Sequence, residues 1–308
     1  MTEPRCPACH ATGLTDFFAV ERLPVDVGRL PATREEALRA PRGDVILAGC
    51  HVCGFVFNRI YDPGLVVFEP GYEAYLNHSQ VFRAFLEEVA ARLVERFDLR
   101  GRTILEIGCG SGYFLELLCR RGANRGIGID PSLREERDVR VGDGSLRLVR
   151  DHYADRHLAC EPDFICCQSV FEDLPEPLAF LSGLRRALGA RTPPVYFEVF
   201  NALRAFRQRE SWSVNYEQCN YWGLDSLAGV FRRSGFTVLE AAECYEEGQY
   251  IYVDAVPAPV AGPPADGPER RATLPPEIAE FGTHHRGAMR RWQAELAEMG
   301  PDRRRTVA

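Results

Sequence analysis

Arg102-Thr-Ile-Leu-Glu-Ile-Gly-Cys-Gly-Ser-Gly112 decides what fold this chain builds. Arg102–Ile107 reads as a buried strand, and Gly108, Gly110 and Gly112 follow it at alternate positions. The pattern predicts a helix from Tyr113 to Arg121, then a strand Gly126–Ile129 that runs into Asp130. Glycines at a strand-to-helix turn let the backbone approach a ligand closely. An acidic residue at the end of the second strand suits ribose hydroxyls. Glu106 precedes the loop, and Asp130 lies eighteen residues after Gly112. Together they predict a nucleoside-binding βαβ unit.

Further elements extend the same sheet. Leu146–Val149, Phe164–Gln168 and Val195–Val199 are predicted strands, with Phe236–Cys244 and Tyr250–Val256 as a final antiparallel pair. Phe55–Ile60 is a separate strand nearer the N-terminus. Helices are predicted at Ser79–Phe97, where Phe82, Leu86, Val89 and Leu93 recur at helical spacing, at Pro177–Leu188 and at Leu224–Arg233. Strands alternating with helices make an α/β, doubly wound sheet of seven strands. Three regions are expected: residues 1–75, a small metal-binding module with a gate segment; 76–256, the nucleoside-binding domain; and 257–308, a proline-rich linker with a C-terminal helix, Pro276–Met299. That helix carries Ile278, Phe281, Trp292 and Leu296, while His284 and His285 on it are expected to be solvated. Arg303–Arg305 are expected to be disordered.

A formal net charge of −7 disfavours a nucleic-acid backbone as partner. Every basic residue other than histidine is arginine, so lysine Schiff-base chemistry is excluded. The first residues, MTEPRCPACH, lack an apolar leader, and no window is apolar enough for a membrane span. A cytoplasmic protein is therefore expected. Eleven cysteines there point to metal ligands or buried thiols. Cys6-Pro-Ala-Cys9 and Cys50-His-Val-Cys53 are two CxxC pairs, together the four thiolates of a structural zinc site. CPACH also fits a haem c attachment pattern or a redox pair, which the second CxxC disfavours. His10 and His51 are expected to be neighbours of the metal. A short helix capped by Thr33, with Glu36 completing a capping box, is expected between the pairs.

The loop reads ExGxGxG and resembles motif I of the class I S-adenosylmethionine (SAM) methyltransferases. By that resemblance Glu106, Gly108, Gly110 and Gly112 line the cofactor, Asp130 grips its ribose, Asp151 lies at the adenine, and Ser169 and the gate residue Tyr72 complete the cofactor site. The wider combination resembles the zinc-containing sugar C-methyltransferases and their bacterial relatives, from Cys6 to about Val256. It is carried by CxxC…CxxCGFVFN, GYEAY, EIGCGSG, GIGIDPS, SVFEDLPEP, FEVF, NYEQCNYW and EEGQY.

The resemblance implies that NYEQCNYW, Asn215–Trp222, lines the substrate side and handles protons through Tyr216, Glu217 and Tyr221. Two family histidines are replaced, by Gln218 and by Asp173. Forming a carbanion needs a base near neutral pKa, and glutamine does not titrate. O- or N-methylation is therefore expected over C-methylation, with Glu217 as principal proton acceptor and Asp173 beside it. The sugar enzymes continue into another α/β domain, whereas this chain ends within the helix leading there. A small-molecule substrate from natural-product or sugar-related biosynthesis is expected, in preference to a nucleotide-sugar. A site completed in a homodimer, a non-methylating SAM enzyme and an inactive SAM-binding subunit stay open.

Overall fold

The computed structural model describes residues 3–70, 72, 76–259 and 274–299. Arg303–Arg305 and most of the predicted linker lie outside the described residues. The chain opens with β1 (Leu14–Pro24), α1 (Arg34–Arg39), β2 (Arg42–Cys50) and β3 (Val56–Asn58). Thr33 Oγ1 accepts from Glu36 N–H as predicted, but the Glu36 carboxylate reaches the Ala32 N–H rather than that of Thr33. Then come α2 (Gln80–Arg96), β4 (Thr103–Ile107), α3 (Tyr113–Gly122), β5 (Arg125–Ile129), β6 (Arg137–Val141) and β7 (Gly144–Val149). The second half runs through β8 (Phe164–Gln168), α4 (Pro177–Leu188), β9 (Val195–Phe200), α5 (Ala202–Gln208), β10 (Asn220–Tyr221), α6 (Leu224–Arg233), β11 (Phe236–Cys244), β12 (Tyr250–Pro257) and α7 (Pro276–Glu298).

The large sheet has the order β11-β12-β9-β8-β4-β5-β7-β6. From β9 to β7 its neighbours pair in parallel, and β12 and β6 join antiparallel. Parallel strands covered on both faces read as continuous apolar runs. Here Leu105 and Ile107 pack with α4 and α6 on one face, while Ile104 packs with α2 and α3 on the other. Strand order reverses around β4, which puts a crevice at its C-terminal end, beside the glycine loop. The sheet has eight strands rather than seven. The added edge strand β6 reads RDVRV, with four of its five residues exposed, so no apolar pattern announces it.

A second sheet, β1-β2-β3-β10, forms around the N-terminal segment. Its fourth strand comes from NYEQCNYW, where Asn220 and Tyr221 pair with Phe57 and Val56. The next residue, Trp222, is fully buried and stacks between Phe55 and Phe171. One apolar cluster thus runs from the CxxC pairs into the large sheet. The C-terminal helix returns to this N-terminal sheet, with Ile278 and Phe281 buried and Phe281 packing on Phe18 and Phe206. His285 is half-buried against the Phe18 ring rather than solvated. Gly282 permits the close approach, since a Cβ there would lie 1.9 Å from the Phe17 carbonyl oxygen. Trp292 and Leu296, further along α7, are exposed. Among the described residues no helix is long and apolar enough to cross a membrane.

Candidate active site

The loop after β4 is shaped by its glycines. Gly108 has φ +71°, and a Cβ on it would come 2.3 Å from a methyl of Val170. Asp130, at the end of β5, holds the loop: its carboxylate accepts from Gly110 N–H (2.8 Å), Ser132 N–H (2.8 Å) and Ser132 Oγ (2.6 Å). Three of roughly four acceptor positions are so used.

These residues line a cavity of about 520 Å³ at the strand ends. Of the predicted cofactor residues, Tyr72, Glu106, Gly108, Gly110, Asp130 and Ser169 lie on its wall. Gly112 does not; it caps α3 in the left-handed conformation, packed so that a Cβ would meet Leu148 at 2.9 Å. Asp151 does not either. Its carboxylate pairs with Arg156 and with His157 (3.2 Å), and the following residues His152 and Tyr153 take the wall instead.

The cavity presents unsatisfied polar groups. Glu106 is 2% exposed, and its Oε2 has no hydrogen-bond partner among the described residues. Burial, with the Asp130 charge adding to it, holds its carboxyl well above the usual range. The Tyr153 hydroxyl is likewise buried without a partner. Orphaned groups of this kind are costly unless a ligand satisfies them. A nucleoside cofactor bearing an ammonium group fits these residues: Glu106 would meet the ammonium, Asp130 has an acceptor position left for the ribose, and the glycine loop leaves room for close passage.

The wall also carries Tyr61, Pro63, Phe68, Tyr72, Leu174 and Asp173. Asp173 makes no side-chain hydrogen bond or ion pair among the described residues. Burial, then the charges of Glu172 and Glu217, push its carboxyl well up.

The expectation for NYEQCNYW is corrected by its geometry. Glu217 is 4% exposed and off the cavity wall. Its Oε1 accepts from Val27 N–H (2.7 Å) and its Oε2 from the Tyr72 hydroxyl (2.8 Å). Both oxygens are occupied, so Glu217 anchors the gate tyrosine instead of facing an acceptor. Tyr216 and Tyr221 are core residues: the Tyr216 hydroxyl accepts from Asp62 N–H, and that of Tyr221 donates to the Asn215 carbonyl. Gln218, at a family histidine position, donates to the Asn220 carbonyl. This part of the wall comes instead from Tyr61, Pro63, Phe68, Tyr72, Asp173 and Leu174, whose aromatic and polar mixture has no periodicity to signal it.

The four cysteines converge. Cys6 and Cys53 Sγ lie 3.7 Å apart, Cys9 and Cys50 3.6 Å, and all four sulfurs fall within 4.8 Å of one another. Both CxxC turns share one backbone pattern: His10 N–H to Cys6 O matches Gly54 N–H to Cys50 O, and Cys6 N–H to Ala11 O matches Cys50 N–H to Phe55 O. A tetrahedron with Zn–S bonds near 2.3 Å has edges of about 3.8 Å, so the donor set fits a four-thiolate zinc ion. His51 is turned to Thr15 Oγ1, outside the cluster.

A largely parallel sheet with a glycine loop, an acid at the end of β5 and a cavity beside them fits a nucleoside cofactor. A family model described as a methyltransferase domain matches residues 79–241, just over half of the 308-residue chain. The chain belongs to that family. It is 31% identical over 96 residues to the ubiquinone biosynthesis O-methyltransferase of Neisseria meningitidis serogroup C, covering 27% of this chain and 38% of that protein. It is 49% identical over 41 residues to the tRNA U34 carboxymethyltransferase of Azotobacter vinelandii, 13% of each. The chain thus spans well under two thirds of either relative. Among solved structures, it is similar to the magnesium protoporphyrin IX methyltransferase of Synechocystis PCC 6803 with bound S-adenosylhomocysteine (SAH), at 15% identity and TM-score 0.45, covering 60% of this chain and 89% of that one.

Proposed function

We propose that this methyltransferase transfers the methyl group of SAM to an oxygen or nitrogen atom of a small molecule, and that Asp173 accepts the proton. The observation that carries the reading is Asp173 itself, on the cavity wall with no partner among the described residues and a carboxyl basic enough to take a proton. Bound SAM supplies an electrophilic methyl group on a sulfonium. Glu106 holds its ammonium, Asp130 its ribose, and the glycine loop lets it lie against the backbone. Tyr72, fixed by Glu217, closes the acceptor end with Tyr61 and Phe68 and keeps water away from the methyl group. A transferred carboxymethyl group suits this cavity less well, because no arginine lines it among the described residues. The four cysteines hold one structural zinc ion with no open coordination position, outside the chemistry.

Incubating the protein with SAM and candidate acceptors tests the proposal. SAH is the expected product. Methylthioadenosine in its place would indicate cleavage or alkyl transfer from the other side of the sulfonium. Absence of both, with SAM bound, would leave a binding subunit.

A further inference from the structure

Resting on that methyl-transfer reading, we propose that the acceptor is an amine, bound as its ammonium ion against an aromatic wall, and that the cavity rejects phosphorylated and carboxylated acceptors. The argument is one of charge. Glu106, Asp130, Asp173 and Glu198 line the cavity, and no arginine does among the described residues. The chain contains no lysine, and the stretch from Ile60 to Phe82 that borders the acceptor end contains no arginine. The sole histidine on the described wall is His152, next to Tyr153 on the nucleoside side. An acceptor bearing an anionic group would be desolvated beside Asp173, where no cationic side chain lines the wall among the described residues to pair with it. Arg134 and Arg137 line a neighbouring pocket of about 230 Å³ that shares Tyr72, Gly110, Ser111 and Ser132 with the cavity, and Arg137 donates to the Ser111 carbonyl at 2.7 Å.

Three of the four carboxylates already have work. Asp130 holds the loop, Glu198 Oε2 accepts from the Tyr196 hydroxyl at 2.5 Å, and Glu106 sits below the glycine loop. Asp173 is left, close enough to Tyr61 for its charge to act on that ring's hydroxyl, on a wall that also carries Phe68 and Tyr72. Aromatic faces next to a carboxylate suit an ammonium ion through cation–π attraction and a charged hydrogen bond.

The same charges discriminate between nitrogen and oxygen. The bound ammonium gives one proton to the Asp173 carboxylate. The freed lone pair forms the N–C bond to the methyl group as the C–S bond breaks, and that bond's electron pair stays on sulfur. Positive charge therefore moves from the sulfonium to nitrogen, where the aromatic residues of the wall receive it. A hydroxyl acceptor also gives its proton to Asp173 but is neutral before and after transfer, so it gains neither the charged hydrogen bond nor the cation–π attraction.

Binding to the SAH-loaded full chain, measured by calorimetry with benzylamine, benzyl alcohol and benzoate, tests this. Benzylamine should bind about tenfold or more tighter than the alcohol, and benzoate should not compete. In Asp173→Asn the amine preference should collapse, while SAH affinity and the thermal midpoint stay near wild type and show that the variant is folded. Benzoate or alcohol binding as well as the amine would overturn the proposal. So would an amine preference intact in Asp173→Asn, or no benzylamine binding at millimolar probe in protein that binds SAH. Failure to bind SAH at all would strike the methyl-transfer reading, a result separable from the others.

Discussion

Asp173 keeps its proton to higher pH than an ordinary aspartate because its carboxyl, half-buried on the cavity wall, is desolvated and lies near the charges of Glu172 and Glu217. Under the proposed chemistry it must be ionised before it accepts a proton, so turnover should rise with pH through that elevated pKa. Asp173→Asn should lower turnover roughly 10²–10⁴-fold and remove this acidic limb. A variant with wild-type turnover and an unchanged pH profile would take Asp173 out of the proton path. Under the proposed cofactor binding Asp130 would act indirectly as well as directly, since its carboxylate ties Gly110 and Ser132 together. Asp130→Asn keeps the shape but swaps one acceptor oxygen for a donor. SAM affinity should fall about ten- to a hundredfold, the worth of one to two hydrogen bonds to a charged group. Wild-type affinity by calorimetry would mean that the loop, not the acid, holds the cofactor.

The CxxC turns and β10 belong to one structural unit although they are far apart in the chain. Phe55, just past the second turn, stacks on Trp222, just past β10, which stacks on Phe171. Arg233 on α6 donates to the Ala8 carbonyl inside the first turn. Each aromatic pair of this kind contributes about 0.5–1.5 kcal/mol beyond its burial. Loss of metal should therefore loosen the wall that carries Asp173, not just the N-terminus. One zinc per chain is expected. The double variant Cys50→Ser/Cys53→Ser should lose it, with the thermal midpoint lower by roughly 10 °C or more. Stoichiometric zinc in that variant, or none in fresh wild-type protein, would sink the assignment.

Two carboxyls deep in the large sheet's rim couple the whole fold to pH. Burial raises both Glu172 and Glu198 from 4.5 to about 7. In the unfolded chain each ionises near its ordinary value, so between about 4.5 and about 7 the folded state binds more protons. Their contribution to stability is thus complete at low pH and is lost as pH rises through the folded-state value. For Glu198 the loss is on the order of 3 kcal/mol. Glu198→Gln should flatten this part of the stability profile when thermal midpoints are compared at pH 5 and pH 8 without cofactor. Parallel profiles for variant and wild type would count against it.

Local signals wrote much of this architecture into the chain. Ser79 caps α2 as read from its hydroxyl, α4, α6 and β11 begin and end where their apolar spacing places them, and the glycine loop turns where Gly108 and Gly112 require it. The paired cysteines likewise announce their own convergence, since each CxxC closes through a turn a few residues long. Such features depend on neighbours within one turn or strand. The direction of the side chains in NYEQCNYW depends on partners far away: Glu217 meets Val27 across 190 residues, and Tyr216 meets Asp62 across 154. An irregular segment has no period to orient it, so its faces were settled by β10 pairing with β3 and by the burial of Trp222. That pairing turned Glu217 toward Tyr72 and left the cavity wall to Asp173.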